Sequence, residues 1–467
     1  MAWRAGLDFR IHVNLLVPGD KCKVFLVWAL KKRPKEYHHF VCIVSKPFSQ
    51  GLRGFAILVA WLVFFISNVT AAERQLSITA TGAVGDGATI NTAAIQRAID
   101  TLAGNGGGTL VIPQGKFLSG AIFLKPGVDL HLDQGAVLKG STNILDYPEM
   151  ETRIEGHSQV WIPALVNASN VDHLRITGEG MIAGGGQPFW DEFWKAREAN
   201  KDVTNLAVKR PRNIFIQYSK DVQISGVSLR ESGFWNIHLF RCKHVLVDKV
   251  DIRAPDHSPS TDGIDVDSCQ NVAIRNCYIS VDDDNIGIKG NKGTSALDDK
   301  TFPPDEHIRI SNCTFGLGNA ALTLGSEATL VRDVIIENCK LTGTNKNCVL
   351  KLKLRPDTEQ HYENIVARNI TVDNPTAELV SIQPWLQFFD LQGKSAPSQS
   401  VANVTLENIT GALDGFGRVD GPEKSTVKNL DFKNINITLK DPDVVIRNVM
   451  HLKFTNVKIN GVAYTGD

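Results

Sequence analysis

Two acidic segments lie one repeat apart in this chain, Ser260-Thr261-Asp262-Gly263-Ile264-Asp265-Val266-Asp267 and Ser280-Val281-Asp282-Asp283-Asp284-Asn285. If the chain coils with a period near 22 residues, Asp262, Asp283 and Asp284 stand side by side. Splitting a glycosidic bond needs one carboxylic acid to protonate the leaving oxygen and a second carboxylate to activate water or attack the sugar. A stacked group of aspartates supplies both.

The period runs through much of the sequence. A nine-residue unit, polar-apolar-x-apolar-x-Asn-apolar-x-apolar, reads NVAIRNCYI at 271, HIRISNCTF at 307, DVIIENCKL at 333, NIVARNITV at 364, NVTLENITG at 403, NLDFKNINI at 429 and HLKFTNVKI at 451. Looser copies start at 173, 221 and 244, and from 221 onward successive starts differ by 22 to 39 residues, so a constant core carries loops of varied length. Apolar residues alternate within each unit, as in strands with one buried face. Short strands at this spacing, with no amphipathic helix of 10–15 residues between them, predict a solenoid. We expect an all-β, right-handed parallel β-helix. The recurrent Asn (276, 312, 338, 369, 408, 434, 456) falls where each coil bends, since Asn tolerates left-handed backbone and can bond the next copy above it.

Composition agrees with a solenoid and excludes some partners. Lys plus Arg number 50 and Asp plus Glu 50, so no global field attracts a polyanion, nucleic acid included. An acidic substrate would need a local basic patch. The first 72 residues stand apart: a basic stretch to Arg53, an apolar run Phe55–Ile66 and the small-residue sequence NVTAA at 68–72 have the pattern of an export signal cleaved near Ala71 or Ala72. The mature chain would start near Glu73 and be periplasmic or extracellular. The basic part is longer than a signal needs and no Met lies between Met1 and Met150, which fits an upstream extension with a non-Met initiator near Leu52. The rival is an uncleaved anchor, against which the apolar run is short for a membrane span. Six of eight Cys lie beyond residue 72. Cys277, Cys313 and Cys339 follow the bend Asn where later coils carry Ile370, Ile409, Ile435 and Val457, so they read as stacked core residues without partners. Cys242, Cys269 and Cys348 share no register, and no spacing suggests zinc.

The segment TGAVGDGATINTAAIQRAIDTLAGNGGGTLVIPQGKF at 81–117, the stretch 210–245, the two acidic segments and LTLGSE at 322–327 together resemble glycoside hydrolase family 28, the pectin-degrading polygalacturonase family, from about residue 76 to near the end. The resemblance implies that the helix Thr92–Leu102 caps the open end of the solenoid. Where the family has Asn-Thr-Asp-Gly and Gly-Asp-Asp-Cys, this chain has Ser260-Thr261-Asp262-Gly263 and Asp282-Asp283-Asp284-Asn285. It therefore implies Asp283 as general acid and Asp262 with Asp284 as the carboxylates that activate water, with inversion at the anomeric centre. Two departures stand out. The family's His before Gly-Ser becomes Asn319 or Ala320, neither of which carries a titrating proton, and its Arg-Ile-Lys becomes Lys351-Leu352-Lys353, followed by Arg355. The pattern KxRPDTxQHYENI at 353–365 is similar to a bacterial branch that includes rhamnogalacturonan-active members.

Adjacent strands lie roughly 4.8 Å apart, so carboxyl groups splayed from neighbouring coils could reach the ~6.5–9.5 Å that leaves room for water. Parity alone would turn Asp262 and Asp284 inward with Ile264, Val266, Ile286 and Ile288, so bends at Gly263 and near Asp284 must break the alternation. Asp265 and Asp267 read as solvated or supporting groups on the opposite parity. Asp282 is an extra acid that tightens the cluster or draws in a cation. Lys351, Lys353 and Arg355 form a row for sugar carboxylates, extended by Lys289 one coil earlier. Trp190, Trp194 and Trp235 fall in loops or coil ends near the cleft edge, and Trp385, Phe388 and Phe389 in the insertion 373–402; any could stack on a sugar or pack a loop. His257 could substitute for the absent His; His238 reads as structural. The expectation is an exported, monomeric hydrolase of galacturonate-containing pectic polysaccharide, with no organic cofactor, no metal and no stable membrane insertion. Three alternatives remain: a calcium-binding acidic cluster, a calcium-dependent pectate lyase, and a pectin-binding β-helix that has lost its chemistry.

Overall fold

The computed structural model describes residues 74–466, apart from 346 and 423–424, together with the backbone of three antiparallel strands, His12–Leu16, Lys23–Arg33 and Glu36–Val44. Those three strands belong to a compact unit 1–73, and residues 74–467 form a second. The expected export signal at 52–72 lies outside the described residues.

In the second unit the middle coils contribute three short strands each, and from Leu330 the second and third run on as one, as in Leu330–Thr342. Ile264–Asp267, Gln270–Arg275 and Tyr278–Ser280 pair in parallel with Ile286–Lys289, Asp305–Ser311 and Thr314–Phe315 of the next coil. This is a parallel β-helix, as expected, ended by an antiparallel hairpin of Val449–Ile459 with Val462–Tyr464. The nine-residue unit fills the second and third strands of a coil, and the bend Asn turns the corner between them. All seven bend asparagines are left-handed, with φ from 50° to 56°. From Asn338 to Asn456 their carboxamides bond coil to coil at 2.9–3.1 Å. A second column was not foreseen: the first residue of each unit is left-handed too, and Asn364, Asn403, Asn429 and His451 are bonded in series.

Inside, Leu239, Val266, Ile288, Leu324, Leu352 and Ile382 form one fully buried column in register. Burying such side chains is worth roughly 1.5–3 kcal/mol each. Cys277, Cys313 and Cys339 are buried and unpaired, and Cys339 pairs in register with Ile370, which leads on to Ile409, Ile435 and Val457. Cys242, Cys269 and Cys348 are free and buried as well.

Helix α1, Thr92–Gly104, buries Ala94, Ile95, Ala98, Ile99 and Leu102 on one face and packs against the strands Gly108–Ile112 and Ile122–Leu124 of the first coils. A second helix, α2 (Gln187–Ala199), corrects the expectation that no such helix interrupts the strands. Its buried side is aromatic, Phe189, Trp190 and Phe193. Trp190 is accordingly buried in a helix and not at a cleft edge.

A bend position tests the ladder. Asn408→Ala should lower stability by about 2–3 kcal/mol, through two lost carboxamide bonds and a left-handed alanine, whereas Asn408→Gly should cost about 1 kcal/mol less. Denaturant melts of the two variants compare them.

Candidate active site

The site is built on the first strand of each coil, the one outside the nine-residue repeat. These strands are β1 (Ile214–Gln217), β2 (Ile237–Phe240), β3 (Ile264–Asp267), β4 (Ile286–Lys289), β5 (Leu322–Leu324), β6 (Asn347–Leu354) and β7 (Ala377–Pro384), stacked in order. Strand β7 lies within the stretch expected to be a plain insertion, 373–402; the loop proper is 385–398.

Asp262 and Asp284 lie two residues before the first residues of β3 and β4, and the alternation breaks there as required. Gly263 has no room for a side chain: a Cβ would sit 2.4 Å from Asn285 O and 2.5 Å from an Ile279 methyl. The Asn285 carboxamide is buried, donating to Leu317 O at 2.8 Å. Gly263 N donates to Asp284 O at 2.9 Å and Asn319 N to Asp283 O at 2.9 Å, so the inter-coil ladder runs directly beneath the acids. With Gly263 and Asn285 taking the interior positions, the acids on either side face the cleft. Asp262, Asp283 and Asp284 bring one carboxylate oxygen each within 4.8 Å of one another. These nearest oxygens are closer than the splayed arrangement expected, and two lysines offset their charge.

Those lysines are Lys289 and Lys353. Lys289 Nζ lies 3.0 Å from Asp262 Oδ2, and Lys353 Nζ lies 2.7 Å from Asp284 Oδ2. Thr323 Oγ1 donates to the other Asp284 oxygen at 2.7 Å. Both lysines are almost fully buried and each faces an indole, Lys289 that of Trp235 at 5.0 Å and Lys353 that of Trp385 at 4.7 Å. A divalent cation would have to displace these ammonium groups, so the donor set fits a metal poorly.

Burial opposes ionisation throughout the cluster, and charge decides the outcome at each position. Burial pushes Asp262 up to about 8 against the pull of Lys289. Burial, then Asp284, raises Asp283. At Asp284 burial acts upward too, but Lys353, Lys289 and Lys351 outweigh it and hold the carboxyl below its usual range. One acid is thus favoured as a proton donor and its neighbour as an anion.

The remaining predicted residues divide. Of the two residues expected at the place of the family His, Asn319 faces the acids, its Nδ2 donating to Asp283 Oδ1 at 2.9 Å, and Ala320 is fully buried. Lys351 Nζ donates to Asn319 O at 2.9 Å at the rim. Asp282 lines the cleft, pushed up to about 7 chiefly by burial. Arg355 does not: it is buried, bidentate to Asp357, and donates to the carbonyls of Gln387 and Phe388, so it holds the 385–398 loop. His257 is 85% exposed beside Asp256, and contributes a carbonyl to Trp194 Nε1. His238 is buried between Arg212 and Asp267 and held down to about 4, mainly by burial.

Asp265 and Asp267 have the outward parity expected but are fully buried, not solvated. The hairpin of Met150–Ile154 with His157–Trp161 roofs this face, and its Arg153 pairs with Asp267. The same hairpin brings Glu155 to Lys292 at 3.2 Å, and Lys292 lies 3.8 Å from Glu327. Glu155, Glu327, Arg197, Asn205 and Gln387 line the cleft with Trp194 and Trp385. Of these, Glu327 was visible in LTLGSE; the others sit on insertions that carry no periodic signal. Beyond Trp385 the groove continues past Lys351, Ser381 and Gln383.

The family model for Glycosyl hydrolases family 28 matches residues 106–464 of this chain. The chain belongs to this family. A relative from Vitis vinifera, "Probable polygalacturonase", is 30% identical over 66% of this chain and 62% of its own length. An "Exo-poly-alpha-D-galacturonosidase" of Dickeya chrysanthemi is 27% identical over 74% of this chain and 64% of its own. This chain thus spans less than two thirds of those two relatives. The solved exopolygalacturonase of Thermotoga maritima superposes with a TM-score of 0.65 at 24% identity, covering 84% of this chain and 93% of that one, which supports the β-helix. No helix among the described residues is long and apolar enough to cross a membrane.

Removing the Lys353 ammonium leaves the burial of Asp284 less opposed, so its carboxyl ionises at higher pH. Lys353→Met should move the acid limb of kcat/KM upward by on the order of one pH unit and lower its plateau ~10²-fold. An unmoved limb would assign it to another group.

Proposed function

We propose that this family 28 chain hydrolyses α-linked, galacturonate-containing bonds of pectic polysaccharide by a single displacement that inverts the anomeric centre. The observation that carries the reading is the division of labour among three adjacent carboxylates. Asp283 is half-buried at the cleft with its proton affinity raised, and it protonates the glycosidic oxygen as the C1–O bond breaks. Asp284 has Lys353 on one oxygen and Thr323 on the other, so it orients and stabilises and does not attack C1. Asp262, held by Lys289 at Oδ2, has Oδ1 to accept the proton of the attacking water.

This saturation of Asp284, and not a wide carboxylate separation, supports inversion over a covalent intermediate. The product anomer seen by NMR at early times decides between them, and a retained configuration would sink the single displacement.

Lys351 and Arg197 are the cations that remain at the rim for a sugar carboxylate, with Trp194 and Trp385 as stacking surfaces. The basic stretch, the apolar run and NVTAA support export, with cleavage near Ala71 or Ala72. N-terminal sequencing of the exported protein should begin near Glu73.

The test is reducing-end release from polygalacturonate and from rhamnogalacturonan, with chelator present. Asp283→Asn should lower turnover ~10²–10⁴-fold on the preferred polymer, and chelator should leave the wild type unchanged. Because Asp262 must be ionised to take a proton from water and burial pushes it up to about 8, while Asp283 must hold its raised proton, activity should fall on the acid side as Asp262 is protonated and on the alkaline side as Asp283 loses its proton. An ultraviolet-absorbing unsaturated product lost in chelator would mean a lyase instead.

A further inference from the structure

Asn319 borders the cleft with an exposed side chain, yet its backbone is held from two coils. Asn319 N donates to Asp283 O at 2.9 Å and Asn285 N to Ala320 O at 2.9 Å, so residues 319 and 320 sit on the rung that carries Asp283. Gly318 permits this approach, since a Cβ there would lie 2.5 Å from Asn285 Oδ1. From the next coil, on β6, Lys351 Nζ donates to Asn319 O at 2.9 Å. A side chain anchored on both neighbouring coils keeps a fixed aim.

That aim is at one oxygen of Asp283. Asn319 Nδ2 donates to Asp283 Oδ1 at 2.9 Å, and the backbone N–H of Asp284 donates to the same oxygen at 2.9 Å. A backbone N–H can only donate, so Oδ1 is an acceptor and the carboxamide presents its nitrogen there. A protonated Asp283 therefore carries its hydrogen on Oδ2. As that proton leaves for the glycosidic oxygen, negative charge grows on the carboxylate and both N–H bonds strengthen, which is help given to the transition state more than to the resting acid. The charged groups around Asp283 act in both directions: Asp262, Asp282 and Asp284 oppose its anion, and Lys289, Lys353 and Arg210 favour it. The Asn319 bond acts with the cations, lowering the proton affinity that burial and Asp284 raise. A carboxamide has no proton of its own to titrate, so this contribution is constant with pH.

We propose that Asn319 is a positioning residue: it fixes Asp283 Oδ1 as the acceptor, leaves the transferable proton on Oδ2, and stabilises the anion that forms as the proton departs. This rests on the reading of Asp283 as the general acid.

Asn319→Ala removes the donor. On the preferred polymer kcat should fall ~10-fold with KM changed less than about twofold, because the acid has become weaker. The alkaline limb of kcat/KM should move to higher pH by about half a unit to one unit, since the Asp283 anion has lost a stabilising bond. Asn319→Gln, which keeps the donor on a longer stem, should recover part of both. A limb that stays in place or moves to lower pH overturns the proposal. So does a loss confined to KM, which would make Asn319 a sugar contact, or a lowered melting temperature with uniform loss, which would make it a contact of the fold alone. Carbon-13 carboxyl titration of Asp283 without substrate should show the same upward shift in Asn319→Ala, and it needs no turnover. A wild type without activity would sink the hydrolase reading and leave this inference to the titration.

Discussion

The parallel hydrogen-bond ladder between coils is the constraint on which everything else rests. It fixes neighbouring backbones one strand spacing apart and in register, so side chains far apart in sequence meet whenever they share a rung. Asp262 and Asp284 are neighbours for this reason, and so are Asp283 and Asn319, across a loop that separates them by 36 residues. The loops between coils differ greatly in length, but the rung does not move. A cleft assembled this way needs no long-range search to align its acids.

What the ladder cannot do is make such a cluster stable. Asp262, Asp283, Asp284 and Asp265 would repel one another in a site with little water, and the hairpin 150–161 and the 385–398 loop make it drier still. Lys289 and Lys353 answer the repulsion from below, each packed against a tryptophan that keeps water from the ammonium. Cations that sequence parity assigned to the substrate are in fact committed to the acids. The electrostatics of turnover and of folding are consequently the same interactions, and a change at either lysine acts on both.

The sequence made the solenoid legible because its physics is periodic. Alternating apolar residues and a recurring left-handed Asn are local signals, repeated often enough to be read through the loops, and Asp262, Asp283 and Asp284 followed from the coil length. The missed features are those where a non-repeating element covers a repeating one. Parity correctly turned Asp265 and Asp267 outward, but the hairpin that buries them has no signature in the repeat. Arg355 lies on the row of Lys351 and Lys353, and it was the neighbouring Asp357 and the carbonyls of the 385–398 loop that took it out of the cleft. Helix α2 escaped notice because it is a single element among repeating strands, although its buried Phe189, Trp190 and Phe193 follow helical spacing.

The six cysteines of the solenoid are all buried and all unpaired, three of them in a single column with Ile and Val. Cohesion of the stack thus comes from apolar contact and inter-coil bonding with no contribution from sulfur–sulfur bonds. Its native state owes nothing to redox potential. For the solenoid, a reducing and an oxidising compartment are equivalent folding environments, since no step of its fold waits for an oxidant.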